Sequence, residues 1–431
     1  MKMYDFTKRF RLKEHGTTVK QELSAGTVAF LTSVYIVAIN ASILADAGVP
    51  LTGAALATIV TSVIGCILMG LWSNTPIILI PGMGINAMFT YTFVQNSGLS
   101  WQEALAVVFI AGLLFIAIAF TKLADILTKA IPNNLKYGVT AGIGLFLAFI
   151  GLQKGGLIQS NPETFVQLAP LLNPQPLATI LTLLIAVFLF VRNIPGHFLW
   201  AILAGIGIGR VLDVPLSGET MNVGLGDAAA VFGQFSFSPL LTVTFWTSVF
   251  ALTMVLTFEN IGLISGYTNT LNQPEKAKRA LQANAVSAAS AGFFGTSPTV
   301  STAETAAGIA AGGRTGLSSI VTGLLFALAL ILLPFLSYIP DSAIAPILLI
   351  VGGIMLKDIV QISFDSLTGW FPAYLIVAGI PLTHSIADGI AIGFAFYPII
   401  HLMSGKKKEV SKTMYVVGCL FLIHLIFTAL S

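Results

Sequence analysis

The chain has 431 residues, 56% of them hydrophobic and 9% charged, with a mean hydropathy of +0.90, whereas an average soluble domain carries about 25% charged residues. This composition excludes a soluble globular protein and describes a polytopic membrane protein, long enough for roughly a dozen or more spans of about 20 residues. The net charge of +3 is too small to argue for nucleic acid, and the two cysteines, Cys66 and Cys419, lie in separate apolar runs that suggest neither a disulfide nor a metal site.

Residues 1–22 read as a polar cytoplasmic N-terminal segment with no cleavage-site pattern, so the first span is expected to stay in the mature chain. Apolar runs follow near 23–45, 54–72, 76–95, 101–121, 134–153, 176–192, 196–212, 239–266, 279–294, 296–313, 315–337, 342–357, 370–384, 386–404 and 412–430. With the N-terminus inside, each even-numbered span ends beside positive residues: Lys122, Lys129 and Lys136, then Arg192, Lys276 to Arg279, Arg314, Lys357 and Lys406 to Lys408. The opposite loops carry Asp46, Glu163, Asp341 and a Lys- and Arg-free stretch with Asp213, Glu219 and Asp227, Lys154 being the main exception. This positive-inside pattern predicts fourteen spans in a cell membrane, plasma or inner, with a cytoplasmic N-terminus. The expected units are a first seven-span repeat (23–212), an extracellular linker (213–238), a second repeat (239–405), and a basic loop with a last apolar segment (406–431) that could span, re-enter or lie against the bundle.

The third and tenth segments are abnormal. Thr75 to Tyr91 predicts a short extended piece between Pro76 and Pro81, a Pro-Gly-Met-Gly turn and a half-helix from about Ile85. The tenth repeats that plan, with Phe293 to Pro298 extended and a half-helix from about Val300; most of Thr296 to Gly312 is Gly, Ala, Ser or Thr. Paired interruptions at corresponding ranks point to a transporter's midplane binding site. Seven spans per half makes the repeat inverted, with the Phe30–Tyr35 and Phe245–Phe250 hexapeptides and the Gly82 and Gly295 pair read as equivalent positions.

Within the spans carboxylates are scarce, and an ionisable group there costs a few kcal/mol on the insertion scale. Glu259 is expected to be a proton or substrate site rather than a structural acid. Ser301 to Glu304 matches a capping box, in which Glu304 folds back on its own helix, but that helix start is itself the suspected ligand site. Glu304 is therefore read as a substrate contact that can also cap, and the small Thr302 and Ala303 leave room for a ligand. The half-helix starts, including Gly84, offer backbone N–H groups to a polar planar ligand. Asn86 binds substrate or bonds across helices, Asn40 and Ser297 support the site, and Asn260 is open between the two roles. Gly308 to Thr315 is one residue from a P-loop, but no strand precedes it, so a turn anchored by Arg314 is the better reading. The GxxxG pairs Gly138/Gly142, Gly205/Gly209 and Gly389/Gly393 predict close helix packing, and Asp388 is read as structural. No metal-binding cluster or nucleophile–base pair is present.

At Phe258-Glu-Asn-Ile-Gly262, Gly292 to Pro298 with Glu304, Ala311 to Gly316 and Pro81 to Ala87, the chain resembles the nucleobase/ascorbate transporter superfamily, and within it the AzgA-like purine permeases. The resemblance runs nearly end to end, from Gly26 to Gly389. It implies an all-α fold of two inverted seven-span repeats with short extended segments, spans one to four and eight to eleven forming a core and the rest a gate. It also implies proton symport of a purine base, guanine or hypoxanthine favoured, with no cofactor and with membrane lipid as surroundings; a homodimer is compatible with it. Glu259 and Glu304 take the positions of the family's two acids, and Ala303 that of a backbone lining the base. The chain departs from the AzgA-like pattern in carrying Glu259-Asn260 for Asp-Thr, and has Leu263 where uracil-type relatives carry His. Alternatives are an adenine, xanthine or uracil permease, or an anion carrier or channel on a related scaffold.

Overall fold

The computed structural model describes residues 8–216 and 229–430; Glu219 and Asp227 of the linker lie outside the described residues. The first repeat comprises α1 (Val19–Ser33), α2 (Ile36–Ala45), α3 (Leu51–Trp72), β1 (Leu79–Pro81), α4 (Met83–Ala87), α5 (Trp101–Phe120), α6 (Leu123–Ala130), α7 (Asn133–Lys154), α8 (Pro174–Val191) and α9 (His197–Val211), with α4 continuing as a wider π-type helix over Met88–Asn96. The second comprises α10 (Val243–Thr270), α11 (Ala277–Phe294), β4 (Thr299–Ser301), α12 (Thr305–Ala310), α13 (Gly316–Leu328), α14 (Asp341–Leu356), α15 (Leu367–Thr383) and α16 (Ile386–Met403), followed by α17 (Lys412–Leu430). An unexpected hairpin of β2 (Ile158–Asn161) and β3 (Phe165–Leu168) occupies the loop after α7.

Ten helices among the described residues are long and apolar enough to cross a membrane, one of them Lys412–Ala429. The last apolar segment is thus a continuous helix. α11 is not among the ten because Lys278, Arg279, Gln282 and Asn284 lower the hydropathy of its 18 residues, while its buried face is mostly Ala, Ser and Asn. That small face lets α5 come close: a Cβ on Gly112 would lie 2.4 Å from the Ala289 Cα. Small residues let membrane helices approach where hydrophobic contrast with lipid is absent.

The helices sort into two bundles. α1, α3, α5, α10, α11 and α13 pack on one another, with the two broken segments between them. α7, α8, α9, α14, α15 and α16 form the other. The GxxxG glycines act in the second bundle, where Gly142 and Gly389 meet α15 around Ile380, Gly393 meets it at Pro372 and Ile376, and Gly205 meets Ala343 of α14.

Two expected features of the repeat are absent. Gly82 begins α4, whereas Gly295 ends α11 in a left-handed conformation (φ +85°), so they are not equivalent. The hexapeptide match fails likewise, since Phe30 lies deep in α1 and Phe245 in the first turn of α10.

The N-terminal polar segment is docked. Phe10 and Leu12 are buried against Leu317, and the His15 ring meets Gln273 and Lys276 at 3.2 Å each. Burial pushes Lys276 down to about 8, and burial, then the neighbouring Lys276, lowers His15. Glu22, counted with this segment in the sequence, lies inside α1 and is fully buried. Its carboxylate accepts the backbone N–H groups of Arg314 (2.9 Å), Thr315 (3.3 Å) and Ser318 (3.2 Å), satisfying donors that the start of α13 would otherwise leave unpaired. Arg314 itself donates to the Ile309 and Gly313 carbonyls, the anchored turn expected there.

Candidate functional site

The two broken segments meet at the centre. β1 and β4 pair antiparallel, Leu79 opposite Ser301 and Pro81 opposite Thr299, and both strands are fully buried. β-Branched residues suit this pleated pairing, so the extended piece of the tenth segment falls on Thr299–Ser301 and not on Phe293 to Pro298. The helix that follows starts at Thr305 rather than Val300, and its counterpart α4 starts at Met83, two residues before Ile85. Gly82 and Gly84 are required by close approach: a Cβ would lie 2.5 Å from Val300 Cγ2 at the first and 2.6 Å from Ile143 Cγ2 at the second.

A cavity of about 620 Å³ lies against this junction, within the usual range for small-molecule sites. Thr302, Ala303 and Glu304 line it from the tenth segment, Pro81 to Gly84 from the third, Glu259 and Gly262 from α10, and Tyr35 from the break between α1 and α2. The other bundle contributes Lys136, Tyr137, Phe198 and Met355, and the lining continues to Asn133 and Asp358. The cavity thus reaches the end of the molecule that carries Lys129 and Lys357. Five of the six expected ligand residues, Glu259, Glu304, Ala303, Thr302 and Gly84, come together here; Asn86 does not line the cavity.

The capping box does not form. Glu304 makes no side-chain cap on α12; its Oε1 instead accepts the Tyr35 hydroxyl at 2.5 Å. The Tyr267 hydroxyl donates to the Thr302 carbonyl at 2.9 Å and holds the same turn from α10. Neither Glu304 nor Glu259 is ion-paired among the described residues. Lys136, on the cavity wall, donates to the Thr128 carbonyl at 2.9 Å and to Asn133 at 3.2 Å.

Behind the cradle lies a buried polar layer. Asn40 donates to the hydroxyls of Thr58 (2.7 Å) and Thr296 (2.9 Å) and accepts from Ser297 at 3.3 Å; the Ser297 hydroxyl also lies 2.5 Å from Asn86 Oδ1. All five side chains are fully buried. Asn86 therefore faces Ser297 on the back of α4, away from the cavity.

Asn260 is also buried, one residue from the cavity-lining Glu259. Its Oδ1 accepts the Ser301 backbone N–H at 2.9 Å and the Asn284 amide, so α10 braces β4 directly. Replacing Asn260 by Leu leaves two buried donors unpaired at about 1–3 kcal/mol each. The expected result is thermal unfolding in detergent several degrees lower and a matching loss of uptake; an unchanged transition with normal uptake would show that β4 does not depend on this brace.

At the opposite end the bundles are joined by charge. Lys154 at the end of α7 pairs with Asp46 at the end of α2 (2.9 Å) and with Asp341 at the start of α14 (3.3 Å). Tyr91 donates to Asp46 at 2.7 Å, Thr92 accepts the Ile386 N–H at 2.9 Å, and Asn96 donates to Asp388 at 3.3 Å. Asp388 also meets His424 of α17 at 2.8 Å, a structural contact of the kind expected for it. Tyr35, Tyr267 and Glu22 were missed by sequence reasoning, because their partners are far away in the chain and no local pattern marks them.

Comparison with known proteins places these features in a lineage. The Xan_ur_permease model, described as a permease family, matches residues 20–392. The chain is 46% identical over 383 residues to the nucleobase transporter PlAzg2 of Paenibacillus larvae, covering 88% of this chain and 77% of that one. It is 37% identical to the guanine/hypoxanthine permease PbuO of Bacillus subtilis, covering 96% and 99%, and 32% identical to the adenine permease AdeP of Escherichia coli, covering 97% and 95%. The transmembrane domain of the cyanobacterial bicarbonate transporter BicA has a similar fold, with a TM-score of 0.65 at 19% identity over 85% of this chain and 96% of that one.

Proposed function

The chain belongs to the Xan_ur_permease family, the nucleobase/ascorbate transporters, and from that premise we propose that it imports a purine base, guanine or hypoxanthine, together with a proton. The observation that carries the reading is Glu304: a carboxylate free of any ion pair among the described residues, held by Tyr35, facing a cavity of about 620 Å³ where the broken segments meet. Such an acid accepts N–H groups from a neutral heterocycle and repels an anion. The names of several relatives, guanine/hypoxanthine and adenine permeases, support a purine.

In this reading Glu304 accepts a ring N–H, the backbone at Thr302 and Ala303 bounds the base, and Gly84 lets it lie close to α4. Glu259 binds the base or, with Glu304, carries the coupling proton. Asn40, Asn86, Asn260 and Ser297 hold the cradle from behind. The positive-inside pattern makes the Lys129 and Lys357 end cytoplasmic, so the cavity opens inward and the Lys154 cluster closes the outside. Access alternates as one bundle moves against the other. An anion carrier is disfavoured, since three acids, Glu259, Glu304 and Asp358, line the cavity and its lysine is already bonded to Thr128 and Asn133.

The test is uptake of labelled hypoxanthine into cells expressing the protein, competed by guanine, adenine, xanthine and uracil and repeated with a protonophore. Competition by guanine with collapse of accumulation is the expected result. Uptake blocked only by uracil, or accumulation indifferent to the protonophore, would overturn the substrate or the coupling respectively.

A further inference from the structure

Resting on the purine reading above, we propose that Tyr35 sets which purines the site distinguishes, by donating to one carboxylate oxygen of Glu304 so that only Oε2 is left without a protein donor. The chain prepares Tyr35 for this. The hydroxyls of Thr32 and Ser33 bond back to the Val28 and Ala29 carbonyls at 2.9 and 2.7 Å, a pattern that bends helices. The regular helix is interrupted immediately afterwards at Val34 and Tyr35, which keep helical dihedrals, and Tyr35 lines the cavity at that irregularity. Its ring stands edge-on to Phe198 of the other bundle, centroids 4.9 Å apart at 72°, which fixes where the hydroxyl reaches.

The phenol is the donor to Oε1. Tyr267 holds the same turn through the Thr302 carbonyl, so the backbone that carries Glu304 is fixed from a second side. A carboxylate with two free oxygens pairs with two adjacent N–H donors at once. Here a second N–H on the same edge has to share Oε1 with the phenol. The site therefore reads one ring N–H, and a neighbouring exocyclic amine adds little. Bases with one donor on that edge, such as hypoxanthine, compete on nearly equal terms with those that have two, such as guanine.

The experiment measures KM and maximal rate for labelled hypoxanthine and guanine in wild type and in Tyr35→Phe, with membrane abundance checked. Losing the phenol unfixes Glu304 but frees Oε1, so the hypoxanthine KM is expected to rise about tenfold while that for guanine holds, with both maximal rates kept within about threefold. A KM rise equal for both bases, or no change, would overturn the proposal by showing a purely structural tyrosine or none needed. If Tyr35→Phe fails to reach the membrane, Phe198→Leu removes the wall behind the phenol and is expected to move the KM ratio the same way by about threefold; an unmoved ratio overturns the proposal equally. Wild type that transports neither base would instead count against the purine assignment, a different failure.

Discussion

Glu304→Gln is expected to reduce uptake of hypoxanthine at least about 100-fold while the protein still inserts and accumulates in the membrane. The substitution keeps the volume of the side chain and removes its charge. A hydrogen bond to a charged group is worth about 1.5–3 kcal/mol, up to roughly 100-fold in affinity, and the amide also presents an N–H₂ that faces the donors it should accept from. Tyr35 loses its charged acceptor as well, so its hold on the turn at Thr302 to Glu304 weakens. In the proposed symport the variant also lacks a proton-binding carboxyl at this position, so accumulation is expected to be lost even where some exchange survives. The measurement is initial-rate uptake normalised to membrane abundance, and near-normal uptake by this variant would sink the role assigned to Glu304.

Lys154→Met is expected to unlock the opposite end. The lysine is the cation shared by Asp46 and Asp341, one from each bundle, with side-chain exposures of 10% for Lys154, 30% for Asp46 and 23% for Asp341. Breaking a fully buried pair costs about 3–5 kcal/mol and an exposed one about 1 or less, so an intermediate value of about 2 kcal/mol is appropriate, roughly 30-fold in a two-state equilibrium. Two carboxylates then face each other with no cation between them. In a background with Cys66→Ala and Cys419→Ser, a cysteine placed at Ser42, which now contacts Lys154 at 3.3 Å, is expected to react several-fold faster with an impermeant maleimide added outside. Equal labelling with and without Lys154 would show that the cluster does not gate this face.

Much of the architecture was legible because it depends on local composition. An apolar run of about 20 residues has no alternative to a helix in lipid, and the helix ends at Trp72, Phe120, Lys154, Phe294 and Met403 fall at or within a residue of the runs read from the sequence. The broken segments were recognised by their Pro, Gly and small residues, but their helix starts were misplaced, because Thr299 to Ser301 is held extended by a strand that lies in the other half of the chain. The same non-locality hid Tyr35: Ser301 to Glu304 reads as a capping box until a phenol 269 residues away takes the carboxylate. Lys154 is instructive in the other direction. It was the main exception to the charge pattern, and its two acid partners explain why a lysine is tolerated at that end.

The β1–β4 pair also constrains how the protein is made. Leu79 to Pro81 have their partners in Thr299 to Ser301, about 220 residues later, which at synthesis rates of roughly 5–20 residues per second is a delay of about 10–45 s. Throughout that interval the extended backbone of the third segment has no strand to bond, a state that hydrocarbon does not tolerate. The centre of the transporter therefore closes only after most of the polypeptide has emerged.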